Sequence, residues 1–579
     1  MSLFSGLYVG QSGIQTSQNA LNTTAHNLSN IETQGYTRQQ VLQQDRVYNP
    51  VMGNASISKM QSGLGVEYAK VVQVRDQFVD ASYRKEVGRA SFYDTYYEAT
   101  KEIDTFLGEL TGTAFKDSLT NLWTSVEELQ KDPSSAVTEG QFVSNASQFV
   151  DRAQAVYDGL KDYQDNLNAQ VKDTVDKINE IGNEICKYNL MITRVETGKA
   201  YNANPEEAND YRDARNLLLD ELGKYVNMSY DENIYGEVEV SVEGVNFIVS
   251  GKYTPFELGV VRDNATGFYT PVWPTYNDME VYDCNQEIST KLNTNIGGLK
   301  ALVLARGDRR ANYTDLMKDP NTGEDIYNDG ARQSVPPKMA TSNSVIMNVM
   351  AEFDSLIHNV VTEVNNILTG ETTEYDPELG TDVHDATYKD DAKYPKKLPK
   401  ELFQRLSSDR YELQADGSYK YVTEDSSKSP ADTSTMYTIA NLRINPELLK
   451  EPTLLGYPDS NFTTEEKNVD QTKADKLAEA FSAASMVLNP NITQKTNFAS
   501  TYSNMVSQLA SAGYIYKSIS ESQNDTATQL DYSRQQITGV SSNEELANMI
   551  KFQNAFNASS RYINAVNEMI EHVINRLGG

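Results

Sequence analysis

The residue types best suited to metal capture or catalysis are few in this 579-residue chain: His26, His358, His384 and His572, with Cys186 and Cys284. Imidazole and thiolate groups ligate metals or act as bases and nucleophiles, but such sites announce themselves by close spacing. No His-Glu-x-x-His repeat, paired-cysteine spacing, Gly-x-Ser-x-Gly elbow or phosphate-gripping glycine loop is present. Asp319, Asn321, Gly323 and Asp325 begin like a calcium loop, yet Glu324 stands at its sixth position and Gly330 at its twelfth, so a plain turn is expected. Asp390-Asp391 reads as solvated surface. The chain is therefore read as a non-enzyme without cofactor or metal, and the chemistry worth pursuing is that of packing.

Packing chemistry is concentrated at the two ends. Leu7, Ile14, Leu21 and Leu28 recur every seven residues; Met549, Phe552, Phe556, Ser559, Ile563, Val566, Ile570, Val573 and Leu577 alternate three and four apart. Spacing of this kind lines one seam of a supercoiled helix. Gly10, Ser17 and Thr24, each three after an N-terminal knob, would allow close helix approach. An isolated helix without a packed face is marginal, so these ends are expected to order only against neighbouring copies. The assembly interface is assigned to Leu7, Ile14, Leu21, Leu28, Met549, Phe552, Phe556, Ile563, Val566, Ile570, Val573 and Leu577.

The elements that would position these seams follow from proline and periodicity. Fourteen of 17 prolines lie between Pro255 and Pro490, which places long helices in residues 1–220 and 490–579 and a looser insertion between them. Helices are expected over 76–108, 113–131, 134–195, 472–488 and 496–536. The long one carries Leu167, Val171, Thr174, Ile178, Ile181, Ile185, Tyr188, Ile192 and Val195 as an ordinary core seam. Val238, Val240 and Val242 alternate with polar residues before Gly244, Val245, Phe247 and Val249, a hairpin pattern. Further strands are expected at 256–261 and 267–272, and an amphipathic helix from Ile346 to Ile367. The fold class is α+β and multidomain: a long helical bundle formed by both termini, plus a β-rich inserted domain. The expected divisions are 1–40 (axial helix and turn), 41–225 (helical stem), 226–300 (β-rich), 301–369 (return segment), 370–470 (variable exposed insertion), 471–540 (stem return) and 541–579 (C-terminal axial helix). Removing 380–430 is expected to leave the fold intact.

Bulk properties restrict the partners. A formal charge of −30 argues against nucleic acid, whose phosphates need Lys and Arg. Residues 1–40 contain only Glu32 and Arg38, and residues 541–579 carry a net −1, so −29 lies between near-neutral ends. Such ends suit packing among copies, and the acidic body suits water. No apolar stretch reaches membrane-spanning length, and the start lacks the basic and apolar segments of a conventional signal peptide. Cys186 and Cys284 could pair, although a chain of this size does not need the staple.

Residues 25–38, Ala-His-Asn-Leu-Ser-Asn-Ile-Glu-Thr-Gln-Gly-Tyr-Thr-Arg, resemble the N-terminal signature of the bacterial flagellar rod, hook and hook-associated proteins. Asn27, Leu28, Ser29, Asn30, Thr33, Gly35 and Tyr36 match it; Gln34 stands where proline is usual and Ser29 where alanine is common. The signature turn is assigned to Asn27, Asn30, Thr33, Gly35 and Tyr36. Asn543-Glu544-Glu545-Leu546, Phe552-Gln553, Phe556, Ala558-Ser559 and Glu568-Met569-Ile570 resemble the family's C-terminus. Thr37-Arg38, the segment from Asn209 to Leu222, Gly236-Glu237-Val238 and Gly297-Gly298-Leu299 are like its members at the hook–filament junction, with Asn216 departing from an expected aspartate. The resemblance covers about half the chain and is silent over 370–470.

The resemblance implies paired terminal helices in an inner tube, a helical domain outside them and β-rich domains on the surface. It implies a secreted structural adaptor, part of the extracellular flagellum, that forms a ring between hook and filament. It implies export unfolded through the flagellar type III channel. The implied partners are copies of itself, the hook protein, a second junction protein (hook-associated protein 3) leading to the filament, and a cytoplasmic export chaperone on the C-terminal helix. Another axial subunit of hook or rod type, or a secreted protein with an enzymatic or adhesive insertion at 370–470, are the competing readings.

Overall fold

The computed structural model describes residues 3–45, 49–50, 61–62, 65–108, 115–196, 208–284, 286–316, 343–369, 375–376, 381–382, 401–413, 419–425, 432–455, 471–489, 492 and 494–577. The calcium-like turn at 319–330 lies outside the described residues, as do His384, Asp390-Asp391 and the side chain of Leu577.

Helix α1 (Leu3–Ser29) leads through the turn at 30–38 into strand β1 (Gln39–Asp45), which pairs antiparallel with β2 (Val66–Gln73). This ribbon is a departure from the helical stem expected from residue 41 onward. Its pairing rests on Val41, Leu42, Val66, Val71 and Val72, too few apolar residues in alternation to stand out in sequence. Asp76 then caps α2 (Gln77–Leu107), its carboxylate accepting from the amides of Phe78 and Val79. Helices α3 (Phe115–Lys131), α4 (Ala136–Glu196) and α5 (Asn209–Tyr225) follow.

Helix α4 has 61 residues and so spans roughly 90 Å. It serves two cores in succession. Phe142, Val143, Phe149 and Leu160 join a core built from α2, α3, α7 (Val345–Thr369), α9 (Gln471–Ser482) and α10 (Phe498–Thr538). Leu167, Val171, Val175, Ile178, Ile181 and Ile185 join a second core with α5, helix α6 (Gly298–Arg306) and two small antiparallel sheets. Val175 rather than Thr174 fills the seam at that turn. The sheets comprise β3 (Met228–Glu232), β4 (Val238–Val242) and β5 (Val245–Ile248), then β6 (Gly259–Arg262), β7 (Tyr269–Trp273) and β8 (Met279–Glu280). The expected hairpin turns at Glu243-Gly244, both at positive φ. Gly182 admits the Phe247 ring against α4, since a Cβ there would lie 2.4 Å from it.

Of the exposed insertion expected at 370–470, the described residues 401–413 and 432–455 are corrected by burial. Leu402, Phe403, Met436, Tyr437, Ile439, Leu442 and Leu448 are fully or almost fully buried. Strand β9 (Phe403–Arg405) pairs with β10 (Leu442–Ile444), and the short helix α8 (Pro446–Lys450) follows. These elements are only three to five residues long, so no period marks the residues that they bury in the first core. Removing 380–430 would take out Leu402, Phe403 and the buried Glu401–Arg410 ion pair (3.3 Å), and with them part of that core. Helix α9 also stops at Ser482, six residues before its expected end, before the bridge of Met486 to Thr496.

The chain closes on α11 (Ser542–Leu577), which lies against α1 within the same molecule. The two ends thus have a partner in each other, where the sequence suggested order only among copies. Among the described residues no helix is long and apolar enough to cross a membrane. Cys186 and Cys284 are both free thiols, and burial pushes each up to about 11.

Candidate assembly interface

The face of α1 that meets α11 is made of small residues. A Cβ at Gly6 would lie 3.3 Å from Val566, one at Gly10 2.4 Å from Ile563 and one at Gly13 2.5 Å from the Ser559 hydroxyl. Ser17, Ala20, Thr24 and Asn27 continue the same three-and-four step, and all four are buried. Lacking a Cβ, the glycines let the backbones approach closely while Ile563 and Val566 act as knobs. On α11 the assigned seam residues Met549, Phe552, Phe556, Ile563 and Ile570 are half-buried, Val566 is buried, and Val573 is exposed.

Leu7, Ile14, Leu21 and Leu28 sit one position past this stripe. Each is half-buried, so they flank the α1–α11 seam instead of forming its centre. The seven-residue repeat of large residues drew attention to the flank; the glycine, serine, alanine and threonine one step earlier carry the contact. Apolar residues remain exposed on the pair: Tyr8 on α1 and Leu546, Ile550, Met569 and Ile574 on α11, Ile574 by 62% and Ile550 by 60%.

The signature turn is a hydrogen-bonded knot around Asn27. Its carboxamide oxygen accepts from the Tyr36 hydroxyl (2.7 Å) and the Gln39 amide (3.0 Å); its nitrogen donates to the Gln39 carbonyl (2.9 Å) and to Glu545 Oε2 (3.2 Å). Burial, with Asp213 and Asp210 nearby, raises the Tyr36 phenol above its ordinary value and keeps it a donor. Asn30 donates to the His26 carbonyl at the helix end (3.0 Å) and accepts from Thr33 Oγ1 (3.1 Å). Gly35 adopts φ +78°, and a Cβ there would lie 2.5 Å from Leu217 Cγ, so glycine is required both for the backbone and for the fit.

Residues beyond those assigned complete the interface. Arg38 pairs with Glu544 (2.9 Å) and Glu545 (3.3 Å), and its amide donates to the Thr538 carbonyl (2.7 Å). Asp213 on α5 accepts from the Thr37 amide (3.2 Å) and Gln73 Nε2 (2.7 Å); burial raises its carboxyl to about 6 against the pull of the Thr37 hydrogen bond. Asp220, two turns on, accepts from Arg84 on α2 (2.7 Å) and Arg534 on α10 (2.5 Å). The stretches 25–38 and 209–222, read separately in sequence, are therefore one docking joint between the terminal pair and the stem. The likeness of 209–222 to axial proteins was the only sequence signal for Asp213, Leu217 and Asp220.

Comparison with known proteins points the same way. A family model described as the flagellar hook-associated protein FlgK helical domain matches residues 100–383. Models of the flagella basal body rod protein and of the flagellar basal body rod FlgEFG protein C-terminal match 7–37 and 534–577, the two segments that pair in space. The chain is 26% identical over 601 residues to flagellar hook-associated protein 1 of Bacillus subtilis, covering 100% of this chain and 99% of that one. It is 23% identical to the protein of the same name from Salmonella typhimurium, covering 97% and 98%. Among solved structures, the flagellar hook junction protein FlgK from Burkholderia pseudomallei aligns with a TM-score of 0.48 at 12% identity, over 79% of this chain and all of that one.

Proposed function

We propose that this chain, which belongs to the flagellar hook-associated protein 1 family, builds the ring that joins hook to filament by packing its α1–α11 pair against the pairs of neighbouring copies. It is a structural protein and not an enzyme, as its relatives are. The observation that carries the ring is the outer face of the terminal pair. Leu546, Ile550, Met569 and Ile574 are exposed on a helix whose inner seam is already occupied. Apolar residues so placed gain about 25 cal/mol for each Å² covered.

Hook protein on one side and hook-associated protein 3 on the other are the axial neighbours this reading requires. Passage unfolded through the flagellar type III channel is supported by two free cysteines, since no disulfide between them has to be undone before threading. A cytoplasmic chaperone on α11 would shield the same exposed residues before export.

The test is immunogold labelling of isolated flagella with an antibody to the whole chain. One band where hook meets filament is the expected result. Label along the whole hook would mean a bulk axial subunit, and no label on flagella would overturn the assignment. Ile574→Asp, which changes the bare face alone, should remove the band.

A further inference from the structure

We infer that Glu545 is a positioning residue that, through Asn27, sets the axial register of α11 on α1, and that Arg38 transmits this register to the stem. The inference adds to the ring reading, because a ring of identical pairs needs every pair in one register, but it is argued and tested on the single chain.

The seam between the helices has one register along its length. Gly6 meets Val566, Gly10 meets Ile563, Gly13 meets Ser559 and Asn27 meets Glu545. Running in opposite directions, the two helices match step for step. Yet the packing by itself selects this register weakly. Gly6, Gly10, Gly13, Ser17, Ala20 and Thr24 form a strip of small residues, and α11 offers a large apolar residue at most three-and-four steps, Ser559 opposite Gly13 being the exception. A slip of seven residues places Ser559 or Val573 at Gly6 and Phe556 or Ile570 at Gly10, again larger against smaller in the same geometry. Strips of repeated shape are prone to such slippage, and a buried polar pair is the usual means of preventing it.

Asn27 and Glu545 are that pair. They are 1% and 2% exposed, deeper than any assigned knob among the described residues. If α11 slips in one direction, Phe552 comes opposite Asn27; in the other, Glu545 comes against Ala20, whose side chain offers no hydrogen bond. The first leaves the Asn27 nitrogen short of a partner and the second buries a carboxylate unpaired, which is costly. Asn27 cannot follow a slip, because Tyr36 and both backbone groups of Gln39 hold it in place. Arg38 lies 3.3 Å from the other oxygen of Glu545, and its own amide and carbonyl bond Thr538 and Val74. The register of the pair is thereby referred to the end of α10 and the ribbon.

Disulfide mapping of the full-length chain in dilute solution tests this. Gly13→Cys with Ser559→Cys reports the native register, since a Cβ at Gly13 lies 3.3 Å from the Ser559 Cβ, close enough to bridge. Gly13→Cys with Phe552→Cys, or with Val566→Cys, reports a slip of seven in either direction. The native bridge should dominate in the parent chain. Glu545→Ala should lower it several-fold and raise a slipped bridge several-fold; Glu545→Gln, which keeps an oxygen for Asn27, should restore the native pattern. An unchanged native bridge in Glu545→Ala would overturn the inference. So would loss of all three bridges together, which would make the pair a stabiliser without a role in register. Because single chains are mapped, the outcome is independent of whether the ring forms.

Discussion

Helices α7 and α11 read alike in sequence, each carrying an apolar row at helical spacing, but the structure uses them in opposite ways. In α7, 18 of 25 residues are buried, including Glu352, Asp354 and Asn365. In α11, 36 residues long, only Glu545 and Val566 are buried among those described. The first packs among α2, α4, α9 and α10 and the buried residues of 402–448; the second packs on α1, with Arg38 beside its first turn, and leaves Ile550 and Ile574 exposed. Periodicity announces a helix with an apolar side. What covers that side is decided elsewhere in the chain.

The difference can be broken most sharply in the closed region. Phe353 is fully buried against Phe115 and Tyr502, and Phe353→Ala should cost about 3–5 kcal/mol in denaturant unfolding, leaving native Gly13–Ser559 bridging intact. At the joint, Gly35→Ala should cost about 1–3 kcal/mol. Adding Leu217→Ala should recover only the part due to the clash, and full recovery would mean that the positive φ carries no penalty.

A pH titration sharpens the comparison further. Burial raises Glu352 to about 7, above its unfolded value. Its carboxyl therefore takes up a proton more readily in the folded chain. Stability from this group is fully present below about pH 4.5 and is lost as pH rises through about 7. Glu352→Gln should make the stem more stable by about 1–2 kcal/mol at pH 8 and flatten that part of the pH profile; an unchanged profile would show the group is ionised in the fold. The smallest expected effect is on the bare face. Ile574→Asp should change monomer stability by less than about 0.5 kcal/mol while abolishing junction assembly, and a marked loss of monomer stability would show that the face is covered within the chain.

How far these regions were legible depended on whether a signal was local. The helices over 77–107, 115–131, 136–196, 345–369 and 498–538 were readable because each buries one continuous face. The hairpin at 238–248 was readable from strict alternation. Leu402, Phe403, Tyr437 and Leu442 were not, because they enter the first core from three-residue strands and the turns beside them, runs too short to show a period. On α1 the assigned row of large residues lies one position past the contact with α11, because Gly6, Gly10 and Gly13 act through the side chain that they lack, whereas on α11 Ile563 and Val566 lie in that contact. Glu545 was marked only by the likeness of Asn543-Glu544-Glu545-Leu546 to the family's C-terminus; on its own an acidic residue in the first turn of a helix is ordinary helix-dipole chemistry until Asn27 is seen facing it.

The length of α4 has a mechanical meaning. A single uninterrupted ladder of hydrogen bonds runs from the first core through the second, so neither can rotate about the long axis without carrying the other. A torsional load entering at Asp213, where the turn after α1 is bolted to α5, would be borne by this strut as a whole and not be absorbed by a soft hinge midway.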